Sequence, residues 1–279
     1  MSSFMHMMVE NYNEMIESKK DPIVDSWYLM HSPLPLVGLI AIYLYFVLDL
    51  GPRLMKNRSA FEMKKVLVLY NGYQVIFSLW LCSRAFVIED VWSYALQNGC
   101  TNPTNGKYKE MLATCAWWYL FSKIIELLDT VFFVLRKKQS QVTFLHVYHH
   151  SIMVLFTWGY LKFLPGEQGM FIGFLNSFVH IIMYTYYLLS ALGPKYQKYL
   201  WWKKYMTWIQ LTQFLLMLLY LVAIIAMDCK LPKALTFFFF GNVMVFLYLF
   251  SDFYRKAYKK PKRVRCSDDS IIAKELKVE

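Results

Sequence analysis

Charge is scarce in this 279-residue sequence. Asp, Glu, Lys and Arg together make up 18% of it, while hydrophobic residues reach 57% and aromatics 19%. A soluble domain of this size carries more charge, and it does not hold several uninterrupted apolar runs of the ~20 residues that cross a bilayer. A water-soluble globular fold is excluded on that ground, and an all-α polytopic membrane protein is expected. Acidic residues are scarcer still, 19 against 30 Lys and Arg, which gives a net charge of +11. The surplus sits in loops on one side of the apolar runs, so it calls for no nucleic-acid partner. The basic-then-apolar order of a cleaved signal peptide is also missing, because Glu10, Glu14, Asp21 and Asp25 occupy the start. The first hydrophobic segment is therefore expected to stay as an anchor. No internal repeat and no second domain are visible.

Seven apolar spans can be drawn, at about 36–50, 66–88, 111–135, 142–163, 170–192, 205–227 and 234–254. The first ends at Gly51-Pro52-Arg53, and a turn-rich polar loop lies around 98–107. A luminal segment 1–33, a transmembrane domain 34–254 and a basic cytosolic tail 255–279 follow. Basic residues crowd 53–65, 136–138, 195–204 and 255–265, and they thin out in the alternate loops. That bias places the C-terminus in the cytosol and the N-terminus in the lumen. Cys100 and Cys229 then both fall in non-cytosolic loops, where a disulfide between them is expected, with two unrelated thiols as the alternative. Asn57-Arg58-Ser59 fits the glycosylation pattern but lies on the cytosolic side, so it is expected to be unmodified.

Histidine is rare as well, with six in the chain, yet three of them form Leu145-His146-Val147-Tyr148-His149-His150. Positions i, i+3 and i+4 share one helix face, and ionisable groups at membrane depth point to function. Other spans carry Lys123, Glu126 and Asp129 at intervals of three, Asn176 and His180 followed by Tyr184 and Tyr187, and Thr207, Gln210 and Gln213. At 1.5 Å per residue the polar groups of these spans gather mostly toward the cytosolic half, with the histidine triplet roughly 6 to 12 Å in and His180 roughly 18 Å in. The luminal halves of the same spans are hydrocarbon and aromatic. A polar chamber continuing into an apolar bore suits an anionic head on a long acyl tail. Clustered histidines suggest metal first. Membrane di-iron enzymes need about eight nitrogen ligands, more than the chain has histidines, whereas a single zinc remains conceivable. The second chemistry is imidazole as nucleophile and base toward a thioester. No cysteine is placed for that work.

The motifs Lys123-x-x-Glu126-x-x-Asp129-Thr130, Gln141 to His150, Asn176-x-x-x-His180-x-x-Met183-Tyr184, Leu192-Gly193-Pro194, Tyr199 to Lys204 and Thr207-x-x-Gln210-x-x-Gln213 occur in this order. With them the sequence resembles the elongases of very long chain fatty acids, the membrane 3-ketoacyl-CoA synthases, over about residues 25–260. The resemblance implies seven helices, six of them around a narrow tunnel, in the endoplasmic reticulum. It implies condensation of an acyl-CoA with malonyl-CoA to a 3-oxoacyl-CoA two carbons longer, with CO2 and CoA released. His149 is expected to carry the acyl group as an acyl-imidazole, and His180 to face the malonyl unit. His146, His150 and Asp129 are expected to orient the nucleophile, and Asn176 to hold the thioester carbonyl. Arg136, Lys137, Lys203 and Lys204 are expected to meet CoA phosphates. Lys123, Glu126, Tyr184, Tyr187, Gln210 and Gln213 would line the substrate path. No cofactor or metal is expected. Membrane lipid, the reductases and dehydratase of an elongation cycle, and a second copy of the chain are the expected partners. The stretches 154–159 and 164–169 depart from the family's usual Trp-Trp pair and Gly-Gly turn, and the C-terminus lacks its paired lysines.

Two other classes stay open on the residues alone. One is a zinc-dependent acyl-thioester hydrolase using the same histidines. The other is a seven-helix receptor or transporter, in which buried charges line a ligand path.

Overall fold

The computed structural model describes residues 21–87, 90–98, 100, 108–164, 167–227, 229 and 233–259. The turn-rich loop 101–107, most of the N-terminal segment and the tail beyond 259 lie outside the described residues. Every regular element among the described residues is helical. A short α1 (Pro22–Asp25) precedes α2 (Leu34–Tyr45), which runs through a π-helical turn, Phe46–Leu50, into α3 (Gly51–Met55). Then come α4 (Lys64–Val87), α5 (Val91–Asn98), α6 (Lys109–Glu126), α7 (Leu128–Leu135), α8 (Phe144–Phe163) and α9 (Glu167–Leu192). A short α10 (Pro194–Gln197), α11 (Lys203–Ala226) and α12 (Lys233–Tyr254) complete the chain.

Five helical stretches are long and apolar enough to cross a membrane: Leu34–Met55, Lys64–Val87, Gly169–Leu192, Lys203–Ala226 and Leu235–Tyr258. The α6–α7 pair and α8 are not among them, since they hold the lysine, carboxylates and histidines of the sequence motifs. α4 shows what solvent the fold is built for. Its buried face is Tyr70, Asn71, Gln74, Ser78 and Cys82, whereas Leu69 and Ile76 on the other side are 77% and 69% exposed. An amphipathic helix in water has the reverse pattern, so the outward surface is made for hydrocarbon.

Three local features differ from the sequence expectation. Gly51-Pro52 does not end the first span. The widened turn Phe46–Leu50 absorbs the hydrogen bond that Pro52 cannot make, and the helix continues to Met55. Gly51 is needed there, because a Cβ would lie 2.7 Å from both the Phe46 carbonyl and Val134 Cγ1. The third span is not one helix. Leu127 N–H bonds to Ile124 O in a tightened turn that separates α6 from α7. The segment before the first span, where no element is drawn from the sequence, is folded from residue 21 onward. Asp21 pairs with Lys109, Asp25 with Lys162, and the indoles of Trp117 and Trp158 donate to the carbonyls of Tyr28 and Leu29. Val24 and Met30 are buried beneath it with Leu36 and Leu161.

α4 packs along α9, α9 against α11, α11 against α12, α12 against α8, α8 against α6, and α6 against α4. α2 lies on α8. The two ends of this assembly differ. At one, Phe61 N–H bonds to Leu135 O, Lys137 Nζ to Lys56 O, and Trp208 Nε1 to Tyr254 OH, while Gly193 approaches Lys64 Nζ. Basic loop residues gather there. At the other, a disulfide joins Cys100 to Cys229.

Candidate functional site

The histidine triplet opens α8 at the basic end. Thr143, in an extended conformation, caps the helix by accepting the N–H of His146, which fixes where the histidine face begins. The His146 and His150 rings lie 4.3 Å apart and those of His149 and His150 5.3 Å apart. Phe133 flanks His146, and Phe246 and Phe250 flank His149. His150 is buried, whereas His146 and His149 keep part of their surface accessible. Among the described residues the contacts of the His149 ring are with His150, Phe246 and Phe250, and no hydrogen bond holds either of its nitrogens. Nε2 of His146 is buried without a partner among the described residues.

Facing this triplet is a tightly bonded polar cluster from α6 and α9. The Lys123 ammonium donates to Glu126 Oε1 at 2.7 Å and to Asn176 Oδ1 at 2.8 Å. Tyr119 OH donates to the same Asn176 oxygen at 2.6 Å. Two donors on one side identify that atom as the amide oxygen and leave Nδ2 as the donor face. His180 Nδ1 is 3.2 Å from Glu126 Oε1 and 3.5 Å from Lys123 Nζ. The Glu126 carboxylate is the nearer of the two partners, and in the tautomer in which Nδ1 donates to it His180 Nε2 is left as an acceptor. His149 lies within charge–charge reach of His180, Lys123 and Glu126.

The break at Leu127 divides the three charged residues that the sequence places on one face. Lys123 and Glu126 turn toward Asn176 and His180. Asp129, beyond the break, instead accepts from Tyr184 OH at 2.7 Å and reaches no histidine. It sits beside Tyr70, whose hydroxyl takes a bond from Gln74 and contacts Ile125 O, and beside the Tyr43–Thr130 pair. The expected contact between Asp129 and the histidine triplet is therefore replaced by a tyrosine-held carboxylate. Tyr187 stacks edge-on to Tyr184. Gln210 and Gln213 donate to the sulfurs of Met183 and Met217 and do not join the cluster. Arg136 is half-buried at the basic end, and Lys137, Lys203 and Lys204 are exposed there, away from the histidines. Among the described residues no group of three or more His, Cys, Asp or Glu is arranged to hold a metal ion.

An apolar cavity runs on from the cluster toward the disulfide end. Tyr119 and Ser177 stand at its inner end. Leu112, Cys115 and Ala116 of α6, Met153, Phe156, Thr157, Tyr160 and Leu161 of α8, and Gly169, Ile172 and Gly173 of α9 form its walls. On α8 the liners continue the stripe of His146, His149 and His150 at intervals of three and four. On α6 the same stripe leads from Leu112 to Tyr119 and Lys123. The polar groups and the cavity walls thus share helix faces. Tyr119, Tyr70 and Gln74 were not legible as site residues, although Gln74 interrupts an apolar span four residues after Tyr70.

The sequence matches the GNS1/SUR4 family over residues 28–265. The chain belongs to that family. Similar proteins include very long chain fatty acid elongase 7 of Drosophila melanogaster, 43% identical over 92% of this chain and 78% of the relative. Elongase 7 of Rattus norvegicus is 45% identical over 88% of each chain. Very long chain fatty acid elongase 4 of Homo sapiens is 42% identical over 90% of this chain and 80% of its own.

Proposed function

We propose that the protein is the condensing enzyme of a fatty acid elongation system, a 3-oxoacyl-CoA synthase of the endoplasmic reticulum membrane. Seven segments cross the bilayer, with α4, α6–α7, α8, α9, α11 and α12 around the substrate path and α2 outside. The closed sequence of helix contacts supports that reading. The observation that carries the function is the continuity of the histidine and lysine cluster with the apolar cavity through Tyr119. A head group is held where the polar atoms are, and an acyl chain lies beyond.

His149 attacks the thioester carbonyl of acyl-CoA; the C–N bond forms, the C–S bond breaks, and CoA leaves as its thiolate toward the basic end. The acyl chain stays as an acyl-imidazole with its tail in the cavity. Malonyl-CoA then enters and loses CO2, and the electron pair of that C–C bond becomes an enolate. Its carbon attacks the acyl carbon and His149 is released. Asn176 Nδ2 is the donor offered to the developing oxyanion. Its amide is polarised by Lys123 and Tyr119, which strengthens that donor. His180 Nε2, with Nδ1 held by Glu126, faces the malonyl unit as acceptor. Arg136, Lys137, Lys203 and Lys204 attract the CoA phosphates at the mouth.

The test uses the full chain in membranes with acyl-CoA and labelled malonyl-CoA. Two-carbon-longer acyl products are expected. Intact mass measured without malonyl-CoA should show an acyl adduct that His149→Ala abolishes. Failure of the wild type to elongate any offered acyl-CoA defeats the proposal, and an adduct persisting in the variant moves the nucleophile elsewhere.

A further inference from the structure

The cavity wall holds one charged side chain that the reaction does not use. Arg84, in the last turn of α4, lines the cavity together with Leu112 and Cys115 of α6, and among the described liners it alone carries a charge. Its guanidinium is weakly held. It lies over the Trp80 ring at 5.4 Å and donates from Nη2 to Ser83 Oγ at 3.3 Å. Nε is buried with no partner, and among the described residues no carboxylate pairs with the group. Buried lysines elsewhere in the fold have such a partner, Glu126 for Lys123 and Asp25 for Lys162. A cation at membrane depth without a counter-ion is costly, and groups of this kind mark ligand paths. Arg84 also stands at a seam. Trp80 packs edge-on against Trp118 of α6 at 6.1 Å, and both rings keep 36% of their surface exposed. On one side, then, the half-buried Arg84 lines the cavity; on the other it touches a ring open to the surroundings.

We infer that Arg84 binds the carboxylate of a free long-chain fatty acid, which enters from the bilayer at the α4–α6 seam and lays its alkyl chain in the cavity. The planar guanidinium matches a carboxylate with two parallel hydrogen bonds, and Nε is one of the donors such a pair uses. The rest of the wall offers hydrocarbon and aromatic surface, which suits an alkyl chain and not a compact, hydrated anion. A fatty acid carries both features and resides in the membrane that the seam faces. Binding needs no step of the reaction. One consequence does rest on the elongation reading: the acid shares its walls with the acyl chain of acyl-CoA and competes with it.

The experiment measures binding of radiolabelled laurate to the full chain in phosphatidylcholine nanodiscs, with 1-dodecanol and dodecyl phosphate as competitors. Laurate should bind saturably and be displaced poorly by the uncharged alcohol. Arg84→Gln should weaken laurate by about tenfold or more and leave the alcohol unchanged, since one charge-assisted pair is lost. Arg84→Lys keeps the charge without the fork, so it should fall between the two, and it serves should the glutamine variant not fold. Cys115 reports the place. It is a free thiol on the same wall, within charge–charge reach of Arg84. Laurate should slow its alkylation by N-ethylmaleimide in the wild type and not in Arg84→Gln. Equal laurate affinity in the wild type and both variants, or alkylation that laurate does not slow, reduces Arg84 to an anchor at the membrane surface and overturns the inference. Dodecyl phosphate binding more tightly than laurate, with the same dependence on Arg84, gives the site to a lipid phosphate and overturns it too. In elongation assays laurate should raise the KM for acyl-CoA without lowering kcat. If the wild type elongates nothing while laurate binding still depends on Arg84, the elongation reading fails and the fatty acid site stands.

Discussion

Lys123 and Glu126 are each nearly inaccessible, with side-chain exposures of 2% and 3%. Their pairing offsets a large desolvation cost, so removing one partner leaves the other charge buried alone. Lys123→Met is expected to destabilise the protein by ~3–5 kcal/mol. Lys123→Met combined with Glu126→Gln should recover most of that loss. Thermal unfolding in detergent checks both, and a single variant as stable as wild type would show the pair to be solvated. Activity should not return with stability, because the double variant, like the single one, lacks the ammonium bonded to Asn176. The cluster was largely legible in the sequence. Lys, Glu, Asn and three neighbouring histidines inside apolar runs have no inexpensive structural role, so they stand out. Tyr119, Tyr70 and Tyr184 did not stand out to the same degree. A tyrosine in a membrane segment looks like one more aromatic, and its hydroxyl acquires meaning only when a facing helix supplies an Asn176 or an Asp129. The distances between helices that decide which carboxylate meets which histidine are not written at any one position.

At the scale of elements, the apolar runs located the long helices to within a few residues but not their interruptions. The Leu127 turn carries no proline or glycine, and it reassigns Asp129 from the histidines to Tyr184. The π turn before Gly51-Pro52 had the opposite consequence and carried a helix past its apparent stop signal. The folded segment 21–33 was read as a polar luminal stretch, because its anchors are long-range pairs with Lys109, Trp117, Trp158 and Lys162. Asp21 gives this segment a pH dependence. Burial works against its ionised form, but the Lys109 ammonium and the N–H groups of Val24 and Ile23 outweigh it, holding the carboxyl below its usual range. A carboxyl with a depressed folded value stabilises fully above the unfolded value, about 3.9, and loses that contribution as pH falls through the lower folded one. Protection of the 21–33 amides from hydrogen exchange should therefore be flat from neutral pH down to about 4 and then weaken. Asp21→Asn should weaken it at neutral pH and remove this part of the acid dependence. Unchanged exchange in that variant would show that Lys162 and Asp25 hold the segment without help.

For the molecule as a whole, the two ends of the helix assembly carry different chemistry, and the proposed orientation rests on that difference. A disulfide persists where the surroundings are oxidising, and lysine and arginine loops remain on the cytosolic side. Cys100–Cys229 lies at one end; Lys56, Lys64, Arg136, Lys137, Lys203 and Lys204 lie at the other. The charge bias and the bridge are independent arguments for the same proposed orientation. The proposed reaction needs the same orientation, because CoA thioesters must enter where the basic residues and the histidine end of α8 are, with the apolar cavity pointing away toward the bridge. Glycan mapping tests it directly in microsomes. Asn57-Arg58-Ser59 should remain unmodified, while an acceptor sequence inserted after Lys230 should gain a glycan. Replacing Cys100 and Cys229 by serine should lower the unfolding temperature and abolish its sensitivity to reductant, a bridge of this kind contributing ~2–4 kcal/mol. A glycan on Asn57 would invert the protein, put the histidine mouth in the lumen away from cytosolic CoA esters, and defeat the orientation and the substrate route together.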